Sequence, residues 1–265
     1  MSSVSVTSVN TESADTQSAD TPPGAAEVFG EALPLAERYA ALLTGPGVER
    51  GLLGPAEAGR IWDRHLLNCA AIAELVPDGS TVADLGSGAG LPGIVLAILR
   101  PEAEVILVEP MARRVTFLDE CISALDLANA RVVRGRAEDL VGQMSADIVT
   151  ARAVAPLDRL AGWAVGLCRP GGTILAIKGA SASAEVAAAA PALRRLGLAD
   201  VAVLQVGSDR LGEAATVVRL VAPRRPGGPQ SRRNSRSRGG ARSAAKRRSG
   251  GARAGRPSQA GPGDS

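Results

Sequence analysis

The segment Val82-Ala83-Asp84-Leu85-Gly86-Ser87-Gly88-Ala89-Gly90-Leu91-Pro92-Gly93 sets three alternating glycines between one apolar run and the start of another. At Gly86, Gly88 and Gly90 the missing Cβ lets the backbone turn sharply and lets a ligand come close to it. Pro92 suits a first helical turn, where its absent N–H would have no partner anyway. Roughly twenty residues further on, Glu109 ends a second apolar run, where a carboxylate can accept both hydroxyl hydrogens of an adenosine ribose. Asp84 stands just ahead of the glycines, able to cap the loop or to reach the amino-acid end of a ligand through water or loop amides. Gly88, Gly90 and Gly93 also satisfy G-x-G-x-x-G, so the loop by itself fits an NAD(P)-dependent oxidoreductase as well as an S-adenosylmethionine enzyme. No G-x-x-x-x-G-K-[ST] occurs, which excludes a P-loop.

These residues need a sheet edge to converge on, and the pattern supplies one. Strand-like and helix-like runs alternate through Thr81–Leu85, Leu91–Leu99, Glu104–Val108, Met111–Leu125, Arg131–Arg134, Asp147–Thr150, Leu157–Leu167, Thr173–Ile177 and Ala182–Leu196. Such alternation implies a parallel sheet covered by helices on both faces. In the clearest helix, Met111, Val115, Leu118, Ile122 and Leu125 form one stripe while Arg113, Arg114, Asp119 and Glu120 fall off it. Val201–Val206 and Ala214–Val221 follow with no helix between them, an antiparallel hairpin closing the sheet. The expected fold is therefore α/β, a Rossmann-like methyltransferase fold with a mostly parallel seven-stranded sheet and an N-terminal helical cap. The hairpin favours S-adenosylmethionine over a nicotinamide, as does the lack of a hydride-transfer acid, since the single histidine, His65, precedes the sheet.

Ahead of the sheet, helical periodicity runs from about Ala32 to Leu43 and from Pro55 to Val76, with Ile61, His65 or Leu66, Cys69, Ile72 and Val76 on one stripe. Positions 1–30 hold four acids and no base and read as a disordered leader, 31–78 as the cap, 79–222 as the cofactor-binding domain and 223–265 as a disordered tail. From Pro223 onward there are 12 Arg or Lys against Asp264 alone, which leaves 18 basic and 26 acidic residues for positions 1–222. A basic tail of this kind attracts polyanions, RNA first among them, or serves as a solubilising extension. The core must be built from Ala, Val, Leu and Ile, because aromatic residues make up 2% of a chain that is 45% hydrophobic. Cys69, Cys121 and Cys168 lack any C-x-x-C spacing, so neither a disulfide framework nor a zinc site is expected. The start has no basic and apolar signal pattern, and no apolar run is long enough to span a bilayer, so a cytoplasmic protein without membrane attachment is expected.

Arg60-Ile61-Trp62-Asp63-Arg64-His65-Leu66-Leu67-Asn68, followed by the glycine loop, resembles the small-subunit rRNA guanine-N7 methyltransferases, the RsmG or GidB family. The resemblance continues through Arg113-Arg114, Phe117-Leu118, Arg136-Ala137-Glu138, Thr150-Ala151-Arg152-Ala153 and Ala176-Ile177-Lys178-Gly179, and spans roughly positions 30 to 222. It implies that Gly86, Leu91, Ala137, Glu138 and Arg152 hold S-adenosylmethionine, to which the loop reading adds Asp84, Gly88, Gly90 and Glu109. Read from the residues alone, Glu138 is equally a helix-start acid and Arg152 a surface arginine. His65 is a packed histidine or, jointly with Arg60 and Arg64, a phosphate contact. Lys178 is an RNA phosphate or guanine contact or a plain salt-bridged lysine. The acidic leader and arginine-rich tail extend beyond the resemblance, which therefore assigns them no role.

The implied substrate is 16S ribosomal RNA or a small-subunit precursor, methylated at a guanine by a monomer without a metal. Guanine N7 carries an in-plane lone pair and no hydrogen, so displacement at a sulfonium methyl needs no general base. No catalytic acid–base pair is expected, and positioning supplies the rate. A non-catalytic RNA-binding protein that uses its basic tail is the third class the residues leave open.

Overall fold

A computed structural model describes residues 21–207 and 214–224. The 1–20 part of the leader and the tail from 225 onward lie outside the described residues. Seven strands form one sheet: β1 (Thr81–Leu85), β2 (Glu104–Glu109), β3 (Ala130–Arg134), β4 (Ala146–Arg152), β5 (Cys168–Lys178), β6 (Val201–Val206) and β7 (Ala215–Val221). Their order is β3-β2-β1-β4-β5-β7-β6. The first five run parallel, while β7 is antiparallel to both β5 and β6. The sheet is thus the mostly parallel, Rossmann-like one the alternation predicts, with the closing hairpin arranged so that β7 lies against β5 and β6 forms the edge. The strand order reverses between β1 and β4, the place where open α/β sheets leave a crevice at the carboxyl ends of their strands.

Side chains alternate across the sheet and feed two apolar layers. Val82, Val105, Leu107, Ile148, Leu175 and Val217 face one layer, and Ala83, Ile106, Val108, Val149, Ile174 and Val218 the other. The second layer is closed by α7 (Leu157–Leu167) and α8 (Ala182–Arg195), through Leu157, Leu160, Ala161, Ala164 and Leu193. The first is closed by α5 (Gly93–Leu99), α6 (Ala112–Ala124) and the N-terminal helices, so the segment that reads as a cap is continuous with the core of the sheet.

That N-terminal region differs from the sequence expectation in two ways. Part of the segment assigned to a disordered leader is α1 (Pro23–Phe29), whose Ala25 and Phe29 are buried. The Phe29 ring meets Trp62 edge to face, with centroids 6.1 Å apart and planes at 77°. An acidic composition marks the leader, but it misses two apolar anchors near its end. The helical stretch read over Pro55 to Val76, part of the two or three helices expected ahead of the sheet, is broken into α3 (Pro55–Ala58), a π-wound segment Ile61–Leu67, the short α4 (Asn68–Ala70) and a 3-10 turn Ala71–Leu75. Ile61, His65, Leu66, Cys69, Ile72 and Val76 are all buried, so the stripe is right although its winding is irregular. Wide π turns of this kind recur where a helix carries functional side chains, and this one carries Arg64 and His65. α2 (Leu33–Leu42) completes the layer, passing into a second π-wound segment, Leu43–Gly47, that contains Pro46.

Among the described residues no helix is long and apolar enough to cross a membrane. Phe29→Ala removes one of few rings from the first layer and is expected to cost about 3 kcal/mol. Urea unfolding of the variant checks whether α1 belongs to the folded unit, and an unchanged midpoint would exclude it.

Candidate functional site

The glycine loop leaves β1 at the point where the strand order reverses. The Gly86 and Ser87 amides donate to the Val108 carbonyl at 2.8 and 3.2 Å, which ties the loop to β2. Gly86, Gly88 and Gly90 all have positive φ, at 65°, 61° and 100°. Two buried carboxylates hold the loop from within the protein. Glu109, 1% exposed, accepts the Gly88 amide through Oε2 at 3.0 Å and the Met111 amide through Oε1 at 3.0 Å, with Arg114 at 3.5 Å. Asp84, fully buried, accepts the Gly93 amide at 3.0 Å through Oδ2 and so caps the start of α5. Its Oδ1 has no hydrogen-bond partner, and burial pushes the carboxyl up to about 7.

From the other side, the Tyr39 hydroxyl of α2 donates to the Ala89 carbonyl at 2.8 Å. Gly90 fits between that hydroxyl and Ile94: a Cβ there would come within 2.7 Å of the Tyr39 oxygen and 2.5 Å of Ile94 Cδ1. Burial raises the Tyr39 hydroxyl well above its ordinary value, so it remains a donor.

Two cavities open at this sheet edge. The first, of about 370 Å³, is lined by Gly86, Val108, Glu109, Met111, Ala137, Glu138 and Trp163, with Arg114 and Arg136 beside them. The second, of about 440 Å³, is lined by Arg60, Arg64, Asn68, Arg152, Lys178 and Glu185. Ala153 borders both. It follows β4 and holds φ at 53°, a left-handed conformation rare for a residue with a Cβ. Backbone strain of this kind, of order 1–3 kcal/mol, collects at functional sites.

Four of the residues expected at a cofactor therefore share one cavity: Gly86, Glu109, Ala137 and Glu138. Gly88 lies against it through its hydrogen bond to Glu109. Asp84 is buried beneath the loop, Gly90 lies within it against Tyr39 and Ile94, and Leu91 is packed against the first apolar layer. Arg152 lines the second cavity, with Arg64 and Lys178. Lys178 is paired with Glu185 at 2.8 Å and donates to the Ala155 carbonyl at 2.9 Å, the salt-bridged arrangement. His65 is 7% exposed and has both ring nitrogens engaged, by Glu57 at 2.7 Å and Arg152 at 2.8 Å, the arrangement of the packed histidine among the two readings. Among the described residues no group of His, Cys, Asp and Glu has the arrangement of a metal site.

Periodicity alone misses Met111 and Trp163. Met111 precedes α6 and is 41% exposed at the first cavity, while Phe117, Leu118, Cys121 and Leu125 form the buried stripe. A methionine one position ahead of its helix carries the same apolar signal as one inside it. Trp163, on α7, is half-buried and faces the same cavity.

Gly90→Ala adds left-handed strain and a clash against a pinned hydroxyl, an expected cost of about 2–5 kcal/mol by chemical denaturation. For Asp84 the folded carboxyl is raised from 3.8 to about 7, so its contribution to stability is present at low pH and is lost as pH rises through that window. Asp84→Asn lacks this titration. Its stability relative to the parent is expected to improve between pH 5 and pH 8, and a constant difference across that range would exclude a raised carboxyl.

The family described as GidB, rRNA small subunit methyltransferase G, matches residues 32–211. The chain is 52% identical over 229 residues to the ribosomal RNA small subunit methyltransferase G of Thermobifida fusca, covering 80% of this chain and 96% of that one. To the protein of the same name from Salinispora tropica it is 54% identical over 230 residues, covering 82% and 93%. Among solved structures, a cofactor-bound protein from MTB shares the fold with a TM-score of 0.51 at 17% identity, over 77% of this chain and 99% of that one. With a family match over more than half its length, and relatives that align across nearly their whole chains, this protein belongs to the rRNA small subunit methyltransferase G family.

Proposed function

We propose that the chain transfers a methyl group from S-adenosylmethionine to N7 of a guanine in small-subunit (16S) ribosomal RNA. The observation that carries this reading is the pair of cavities divided by Ala153 at the β1/β4 reversal, one with a buried acid at its wall and the other lined by Arg60, Arg64, Arg152 and Lys178 beside Asp63 and Glu185. Relatives named as ribosomal RNA small subunit methyltransferases supply the substrate class.

The first cavity fits an adenosine-bearing ligand. Its volume of about 370 Å³ falls in the range of small-molecule sites. Glu109 Oε1 has taken one amide and retains a second lone pair for a ribose hydroxyl, while Oε2 is shared between the Gly88 amide and Arg114. Met111 and Trp163 offer apolar surface for a purine face, beside the Ala137 backbone and the Glu138 carboxylate. Gly86 packs against Val154, which a Cβ would approach to 3.0 Å, so the backbone itself forms that wall. When bound, S-adenosylmethionine supplies an electrophilic methyl on a sulfonium. Arg152, in the second cavity and directly before the Ala153 that borders both, suits the carboxylate at the amino-acid end of the donor by a charge-assisted pair.

In the second cavity Arg60 and Arg64, beside Asp63, are the cations available to RNA phosphates, and Lys178 is balanced by Glu185. The acceptor nitrogen has a lone pair and no proton, so the protein does not have to remove one. Its work is alignment, which in the best intramolecular cases is worth about 7–11 kcal/mol. A guanine presented from a loop, unstacked and held by its backbone, matches how proteins read single-stranded RNA.

Calorimetry is expected to show binding of S-adenosylhomocysteine and none of NAD, with Glu109→Ala and Glu138→Ala each weakening the former about tenfold or more. Mass mapping of unmethylated small-subunit rRNA incubated with the protein and S-adenosylmethionine is expected to find one methylated guanine, with borohydride and aniline cleaving the strand there as N7 methylation requires. Equal turnover on free guanosine would refute the RNA reading. A methyl group at another atom would leave the RNA methyltransferase and remove the N7 assignment.

A further inference from the structure

Arg152, which lines the second cavity, is held by His65, Cys69 and the Arg64 carbonyl, and His65 and Cys69 line neither cavity. Its Nη2 lies 2.8 Å from His65 Nδ1 and 3.3 Å from the Arg64 carbonyl, and its Nη1 3.2 Å from Cys69 Sγ. On the far side of the ring, His65 Nε2 lies 2.7 Å from Glu57 Oε2, while the other Glu57 oxygen faces Arg64 at 3.4 Å. The chain of contacts thus runs from α3 through the π-wound segment to the end of β4.

Elementary proton bookkeeping fixes the state of the ring. A guanidinium has only donors and stays protonated, so His65 Nδ1 must present its lone pair to Arg152. The ring proton then sits on Nε2 and is donated to the Glu57 carboxylate. Both contacts can be made only by the neutral Nε2–H tautomer. A doubly protonated ring would set an N–H against a guanidinium N–H at 2.8 Å. The charged groups facing the ring are Arg152 from β4, Arg64 on its own segment and Glu57 from α3. Burial and Arg152 lower the pKa of His65, against Glu57, which raises it. Cys69, kept a thiol by burial, accepts from the same guanidinium.

We propose that His65, held neutral between Glu57 and Arg152, is a positioning residue that fixes the Arg152 guanidinium in the second cavity, next to the Ala153 wall. The proposal rests on the reading that Arg152 meets the donor's carboxylate. The residue it orients is directly followed by Ala153, whose left-handed backbone forms that wall. A guanidinium fixed by three acceptors before the ligand arrives loses little freedom when it binds.

The chain has a single histidine, so its ring nitrogens give one unambiguous set of signals in a long-range nitrogen–proton spectrum. The full-length protein at neutral pH is expected to show the Nε2–H pattern, with protonation setting in below the ordinary imidazole range. An Nδ1–H or imidazolium pattern at neutral pH overturns the proposal without any reference to ligands. Calorimetry with S-adenosylhomocysteine then tests the consequence. Affinity of the unsubstituted protein is expected to fall about tenfold as the ring protonates on the acid side. His65→Asn, whose Oδ1 can accept from Arg152 at every pH, is expected to recover most of the affinity and to lose the acid fall. His65→Phe, which packs without an acceptor, is expected to bind weakly throughout. If His65→Phe binds as the parent does, or all three share one pH profile, the proposal is wrong. Arg152→Gln separates this from failure of the underlying reading. If that variant binds as tightly as the parent, the donor contact is wrong and the proposal goes with it. If it binds weakly while His65→Phe does not, the positioning role alone is lost.

Discussion

Two buried carboxylates hold the site together, and each is tolerable only because backbone amides meet it. An ionised or ionisable group without water must find donors nearby. Asp84 finds the Gly93 amide, and Glu109 finds those of Gly88 and Met111. These bonds determine where β1 hands over to α5 and where β2 hands over to α6, so the crevice at the strand reversal has its shape before any ligand enters. Glycine at 86, 88 and 90 suits the path of the loop, because all three positions hold a positive φ that costs least without a Cβ.

The N-terminal helices are the second support. Tyr39 reaches the Ala89 carbonyl, and Gly90 lies against its hydroxyl, so α2 limits how the glycine loop can move. The π-wound segment presents His65 and the Arg64 carbonyl to Arg152 from the same side. A region whose sequence reads as a separate cap is therefore one wall of the site, and its apolar layer has no seam where it joins the sheet.

The parallel sheet, the closing hairpin and the position of the glycine loop were legible in the sequence because alternation and loop chemistry are local. Val201–Val206 was readable to the residue, and β1 likewise. Winding was not legible: the stripe from Ile61 to Val76 fits a regular helix, and only packing against α1 and α2 reveals the π turns. The role of Asp84 was left between a cap and a ligand contact, since both use the same carboxylate; Oδ2 caps the Gly93 amide and Oδ1 has no hydrogen-bond partner. His65 and Arg152 stand 87 residues apart in sequence, and no short-range pattern can predict that they share a hydrogen bond.

The scarcity of aromatic residues has an optical consequence. The chain has two tryptophans, Trp62 enclosed among the N-terminal helices and Trp163 facing the first cavity. Their emission divides the molecule into an interior reference, quiet while the helices stay packed, and a window that reports what occupies the crevice. Occupancy and unfolding can thus be followed separately by intrinsic fluorescence, with no dye attached.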